Sequence, residues 1–146
     1  MTFAEVVSKA KQSHDFQPLV DSIPYAKLIG LHFERFGQDI LFKLPQNPDN
    51  IGNPILPAIH GGVIGGFMEL SASLHLLMTM QTYALPKMID FSLDYLRAGR
   101  HQDTFAECLV WRQGNRVANV AITAWQESRD KPIAIARAHF LLKTEQ

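Results

Sequence analysis

The sequence predicts an α+β fold in which a curved antiparallel sheet wraps around one long central helix, with a further helix at the N-terminus. Three observations carry this. Residues 61–80 are nearly uncharged, with Glu69 the only formal charge between Asp49 and Lys87, and a helix apolar all round has to be enclosed. Four strand-like runs follow with no helix between them, at 87–97, 103–113, 116–127 and 133–143; this is a meander, not alternating βαβ units. The chain has 146 residues, 47% of them hydrophobic, which fits one domain over 1–146 with one sizeable core.

The elements follow in order. Phe3, Val6, Val7 and Ala10 recur at helical spacing and predict an amphipathic helix near 2–13. Pro18 and Pro24 bracket a short connection. Residues 28–44 read as two strands around the turn Phe36-Gly37-Gln38-Asp39. Residues 45–57 hold four of the eight prolines and predict an ordered loop or crossover. A central helix is expected from about 61 to 80, with Leu85-Pro86 as its stop signal. Gly114-Asn115 is a two-residue hairpin signal, and Arg129-Asp130-Lys131-Pro132 another turn.

Composition excludes several function classes. Fourteen acidic residues balance fourteen basic ones, so there is no clustered positive charge of the kind nucleic acid requires. A single cysteine, Cys108, allows no internal disulfide and suits a reducing compartment. Its mid-strand setting reads as packing. The N-terminus has Glu5 and no long apolar run, which is not a secretion signal. The longest nearly uncharged segment is broken by glycine, proline and histidine and does not read as a membrane span. A cytoplasmic protein is expected, with no membrane or nucleic-acid partner.

The stretch AIHGGVIGGFMELSAS (58–73) is where local rules conflict. On a helical wheel Gly62, Gly65, Gly66, Glu69, Ala72 and Ser73 share one side, while Ile64, Phe67, Leu74 and Met78 take the other. Each interior glycine costs about 0.5–1 kcal/mol relative to alanine, so the stripe needs a reason. Close approach of a second helix is one; a ligand lying along the face is the other. A lone carboxylate in an apolar wall is expensive to bury. Glu69 has a structural reading, as a partner of Ser73 or of a distant arginine, but an acid, base or nucleophile fits better.

At the start of the helix, Gly61 and Gly62 offer backbone N–H groups without intrahelical partners, reinforced by the helix dipole. Such a donor to a developing oxyanion is worth about 2.7–4 kcal/mol. His60 is placed to cap or orient this turn; as a lone histidine it is no metal site, and His75 lies on the other side of the helix from Glu69. GGVIGG lacks the lysine and hydroxyl residue of a phosphate-binding loop. Gly61 and Glu69 are eight residues apart, about 12 Å of helix rise, too far to meet one carbonyl group. Two such helices antiparallel across a twofold axis would set Gly61 of one copy against Glu69 of the other, giving a homodimer with two composite sites.

His60-Gly61-Gly62 with an acid at 69 resembles the signature of the hotdog-fold thioesterases of the PaaI-like and 4-hydroxybenzoyl-CoA type. Asp94-Tyr95-Leu96-Arg97-Ala98 resembles the family's strand after the central helix, and Arg112-Gln113-Gly114-Asn115-Arg116 its next hairpin. The resemblance runs from about Pro24 to Leu142. It implies a hotdog fold that dimerises and often forms tetramers, and hydrolysis of acyl-coenzyme A thioesters without metal or other cofactor. Carried over by position, Gly61 would polarise the thioester carbonyl, Glu69 would be nucleophile or general base, and Ser73 would orient water or steady Glu69. The family's Asn or Gln six before the histidine is here Pro54, a common glycine is Pro57, and a serine of the Asp-bearing members is Met88. These departures imply either a rebuilt loop with Asn53 in the thioester-contacting role, or weaker hydrolysis.

The acyl pocket is expected between the glycine face, Gly62 included, and the strand at 87–97, with Met68, Met88, Phe91 and Tyr95 as walls. Arg97, Arg100, Arg116 or Lys131 would hold the coenzyme A phosphates. Two other readings stand beside hydrolysis. One is a non-hydrolytic acyl-CoA-binding protein. The other is a dehydratase or hydratase, for which His60 is a poorly placed histidine.

Overall fold

A computed structural model describes residues 1–37, 39–113 and 115–142. Gln38 of the predicted turn, Gly114 of the predicted hairpin and Lys143 at the end of the last predicted strand lie outside the described residues.

The N-terminal helix forms as expected. α1 (Phe3–Ser13) is closed by a capping box in which Thr2 accepts from the Glu5 amide and the Glu5 carboxylate accepts from Thr2. The predicted connection between Pro18 and Pro24 is instead two short helices, α2 (Gln17–Asp21) and α3 (Pro24–Ile29), each with its proline in the first turn. Proline breaks a helix interior but is pre-organised for a helix start, so the same residues that read as punctuation open helices here. Gly30, at φ 83°, ends α3 in a left-handed cap.

β1 (His32–Phe36) and β2 (Asp39–Leu44) form the predicted hairpin. The proline-rich segment is an ordered crossover: a 3-10 turn at 48–50, then a small hairpin of β3 (Ile51–Asn53) and β4 (Ala58–Ile59) with a cis Leu56–Pro57 bond. α4 (Gly61–Thr79) follows, then β5 (Lys87–Tyr95), β6 (Thr104–Gln113), β7 (Val117–Trp125) and β8 (Ala134–Leu141). β5 to β8 each begin and end within two residues of their predicted runs. The run predicted from 28 becomes a strand only at His32, its first residues closing α3, and β3 and β4 are not expected from the sequence.

One six-stranded antiparallel sheet results, in the order β1-β2-β6-β7-β8-β5. Its helix-facing side is lined by small residues, with Ala106, Ala118, Ala124, Ala134 and Ala138 at zero exposure. That relief lets the sheet curve around α4, whose Ile64, Phe67, Leu74 and Leu77 fill the concavity. Each large side chain so buried stabilises the fold by about 1.5–3 kcal/mol. α4 is long and apolar enough in composition to cross a membrane, yet its apolar side is spent on this sheet.

α4 ends at Thr79, within one residue of the expected 80, and Leu85-Pro86 lies in the connection beyond it. The Lys11 ammonium reaches over from α1 and donates to the carbonyls of Met80 (2.5 Å) and Thr82 (2.8 Å). A cation at a helix C-terminus satisfies orphan carbonyls and opposes the dipole. Partial burial lowers the Lys11 pKa. Cys108 lies inward on β6 against the core, and burial pushes its thiol pKa well above the usual range, as packing requires.

Candidate active site

The first turn of α4 is built by three neighbouring elements. His60 is the N-cap, and its Nδ1 accepts from the Gly62 amide at 2.9 Å. An amide N–H only donates, so the ring proton resides on Nε2. The Gly62 donor is therefore used by His60, a correction to the expectation that both glycine amides are free. Gly61 is different: among the described residues its N–H meets no protein acceptor. The turn thus carries one open donor.

Tyr95, at the end of β5, fixes this turn from the sheet. Its hydroxyl donates to the Gly61 carbonyl at 2.7 Å. A Cβ on Gly61 would sit 3.2 Å from the Tyr95 oxygen, and one on Gly65 would sit 3.3 Å from Leu93. From the other side, the buried Asn50 accepts from the His60 amide at 2.9 Å through its carbonyl and donates from Nδ2 to Ile29 at 2.9 Å. Gly52 lies so close that a Cβ would come within 2.7 Å of His60 Cα. Gln126 completes the frame. It holds both backbone groups of Arg100 (3.0 and 2.8 Å). The strip at 99–100 in turn pairs with β4, through Ile59 N–H to Gly99 (2.7 Å) and an Ala58–Arg100 bridge.

Asn50, Gly52 and Gln126 were not singled out by the sequence. Asn50 and Gly52 carried a signal, being turn-forming residues in the stretch Asn50-Ile51-Gly52-Asn53 just before the histidine. Gln126 carried none, because its partner is 26 residues away.

The glycine face is partly occupied by the chain's own side chains. Gly61 and Gly65 admit Tyr95 and Leu93, and Gly66 admits Tyr25 of α3. Ala72 is fully buried, so it does not belong to this face, and Met68 is fully buried in the core and is no pocket wall. Position 68 falls one residue after Phe67 and one turn after Ile64, inside the sheet-facing arc. Met88 and Phe91 are half-buried on the helix-facing side of β5 and pack against the same core. Of the four predicted walls, Tyr95 is the one in contact with the glycine turn.

Glu69 is exposed in the single chain, a correction to the enclosed carboxylate read from the sequence. One copy of the sheet covers one side of α4 and leaves the side carrying Gly62 and Glu69 open. Ser73, one turn on, is half-buried, and no hydrogen bond joins it to Glu69. The Asn53 side-chain oxygen accepts from the amides of Ile55 (3.0 Å) and Leu56 (3.4 Å), so it closes its own turn. Burial lowers the His75 pKa, and its Nδ1 has no partner among the described residues.

The arginines separate. Arg97 donates to the Pro132 carbonyl at 2.6 Å and, with Arg100 and Lys131, lines a cleft of about 110 Å³ beside the strip that supports β4. Arg116 lies at the opposite end of the sheet. Val117 pairs with Leu141 and so lies level with Lys87, eight residues from Tyr95 along the strand, or about 27 Å. Within one chain Arg116 is remote from Gly61.

A family model described as the thioesterase superfamily matches residues 56–133, a span that includes His60, Gly61, Glu69, Ser73 and Tyr95. The chain is 29% identical over 136 residues to the medium/long-chain acyl-CoA thioesterase YigI of Escherichia coli, with 82% of this chain and 86% of the relative covered. A crystal structure of a Chromobacterium violaceum protein is 43% identical, covers 97% of this chain and 99% of its own, and superposes with a TM-score of 0.82. A phenylacetic acid degradation-related protein from Ralstonia eutropha shares the fold at 17% identity, with a TM-score of 0.73 over 94% of this chain and 99% of its own. Sheet order, central helix and family match agree with the hotdog arrangement expected from the resemblance, and the chain belongs to the thioesterase superfamily of hydrolases.

Proposed function

We propose that the protein hydrolyses acyl-CoA thioesters at composite sites between two copies of the chain. The observation that carries this reading is the unpartnered Gly61 amide at the N-terminus of α4, on the same helix as the open Glu69. The Gly61 N–H would bind the thioester oxygen, where negative charge grows in the transition state. Glu69 would either attack the carbonyl carbon or take a proton from the attacking water. Collapse of the tetrahedral intermediate breaks the C–S bond. The thiolate leaves and is protonated; where Glu69 itself attacked, water then hydrolyses the acyl–Glu69 anhydride and frees the carboxylate, so by either route water and thioester give carboxylic acid and coenzyme A. Ser73 stands one turn from Glu69 and would orient the water.

Geometry supports the homodimer. Gly61 and Glu69 of one chain are about 12 Å apart along α4, whereas one carbonyl group spans a few ångströms. The open face of α4 adjoins β5, the edge strand of the sheet. Ile89, Tyr95 and Leu96 are apolar and about half exposed along that edge. An unpaired strand edge is a template for a second copy, and pairing through it would bring two α4 helices side by side, antiparallel. A homotetramer built on such dimers is the further expectation from the resemblance.

Medium- and long-chain acyl-CoAs are the proposed substrates, by likeness to the Escherichia coli relative. The coenzyme A phosphates would sit at Arg97, Arg100 and Lys131, which line one cleft, with Arg100 bridged to Ala58 of β4. Replacing Arg100 and Lys131 together by alanine is then expected to raise KM for acyl-CoA about tenfold, or ~1.4 kcal/mol. KM for the matching acyl-pantetheine, which lacks the nucleotide, should stay put. Steady-state kinetics on the two substrates checks it.

Free-thiol release from short, medium, long and aromatic acyl-CoAs tests the function itself. Saturable turnover supports it. Saturable binding without release supports instead a non-hydrolytic acyl-CoA-binding protein, a reading favoured by the Asn53 oxygen being consumed in its own turn.

A further inference from the structure

The side chain that meets α4 at Gly66 comes from α3. A Cβ on Gly66 would lie 2.5 Å from Tyr25 Cε1, 3.0 Å from its hydroxyl oxygen and 3.2 Å from Cζ. The phenol ring is therefore laid directly on the helix backbone, in a gap that only glycine leaves. Gly66 is one turn before Glu69, and a helical side chain leans toward the N-terminus. The Glu69 side chain and the Tyr25 ring consequently share one stretch of the α4 surface. Tyr25 is 40% exposed and its hydroxyl donates to no group among the described residues, so neither core packing nor a buried hydrogen bond accounts for it. Leu28, three residues on along α3 and so on the same side of that helix as Tyr25, is 73% exposed.

α3 is held in register with the glycine turn. Asn50 ties the last carbonyl of α3, that of Ile29, to the amide of His60. The ring of Tyr25 is thereby set relative to Gly61 by a short chain of buried hydrogen bonds. Tyr95 over Gly61 and Gly65 and Tyr25 over Gly66 stand on either side of the open strip that runs to Glu69.

We infer that Tyr25 is a specificity-determining residue. Its ring walls the acyl groove beside Glu69 and limits the length of acyl chain that can lie along α4 toward Leu28. The inference rests on the proposed acyl-CoA hydrolysis. Ring volume, not the hydroxyl, is the working part. One methylene in an apolar pocket changes kcat/KM by about 10-fold or more, so removing a ring has room for a sizeable effect.

The test compares kcat/KM for hexanoyl-, dodecanoyl- and hexadecanoyl-CoA. For Tyr25→Ala the hexadecanoyl-to-hexanoyl ratio is expected to rise at least about tenfold. For Tyr25→Trp it should fall, and for Tyr25→Phe it should match the unaltered chain. Gly66→Ala, which pushes the ring off the helix, should alter the ratio without touching the phenol itself. Circular dichroism and the thermal midpoint establish that each variant is folded. If all three substrates lose activity in the same proportion in Tyr25→Ala, the ring is only structural and the inference is overturned. A Tyr25→Phe profile that moves with Tyr25→Ala overturns it too, by assigning the work to the hydroxyl. Failure of the underlying reading is separate: no thiol release from any acyl-CoA by the unaltered chain strikes at the hydrolysis proposal whatever Tyr25 does, while full release by Glu69→Gln leaves hydrolysis standing and removes Glu69 from it.

Discussion

Glu69→Gln is expected to lower kcat for acyl-CoA hydrolysis by about 10²–10⁴-fold, the range supplied by a positioned acid or base. The amide has nearly the shape of the carboxylate and is not a base, so KM should change little. Stability should also hold, because Glu69 is exposed in the chain and makes no ion pair or hydrogen bond among the described residues. This combination separates chemistry from folding. A kcat loss with an unchanged thermal midpoint supports the role; full activity removes Glu69 from the site.

How far such a site was legible in the sequence depended on whether its cause was local. Capping and the start of the helix are local. His60, Gly61 and the helix from 61 could be read because a histidine followed by two glycines leaves unsatisfied amides at a recognisable place, and His60 does cap Gly62. The strands were legible because inward and outward residues alternate, as Ala118, Val120, Ile122 and Ala124 do on β7. The two-helix connection at 17–29 was not, because Pro18 and Pro24 look alike whether they stop an element or start one.

The use of each glycine was less legible still. Gly66 makes room for Tyr25 and Gly61 for Tyr95, partners 41 and 34 positions away in sequence. A wheel drawn on one helix sees an empty face and cannot see the ring from another element that fills part of it. The exposure of Glu69 has the same origin in reverse. The sequence asked for an enclosed helix, and one chain encloses only half of it; the proposed homodimer would supply the rest of the cover.

Mixing two inactive chains tests that second copy directly. Gly61→Pro removes the open N–H, and proline is well suited to the first helical position. The preceding residue, His60, is already at φ −58°, ψ 129°, the extended conformation that a following proline demands. The added ring atoms meet Tyr95, whose oxygen is 3.2 Å from a Cβ at 61, so a small outward shift of that side chain is the structural cost. Loss of the donor should reduce kcat by about 10²–10³-fold. Now let Glu69→Gln and Gly61→Pro chains be unfolded together and refolded in equal amounts. In a twofold dimer with shared sites, the mixed dimer has one site with both groups intact and one with neither. Half of the dimers are mixed and each carries one working site of two, so activity should recover to about a quarter of that of the unaltered protein. If Gly61 and Glu69 served the same substrate within one chain, every site in the mixture would lack one group. Activity would then stay at the level of the parents. Recovery to near a quarter therefore requires that the amide and the carboxylate meeting at one thioester come from different chains.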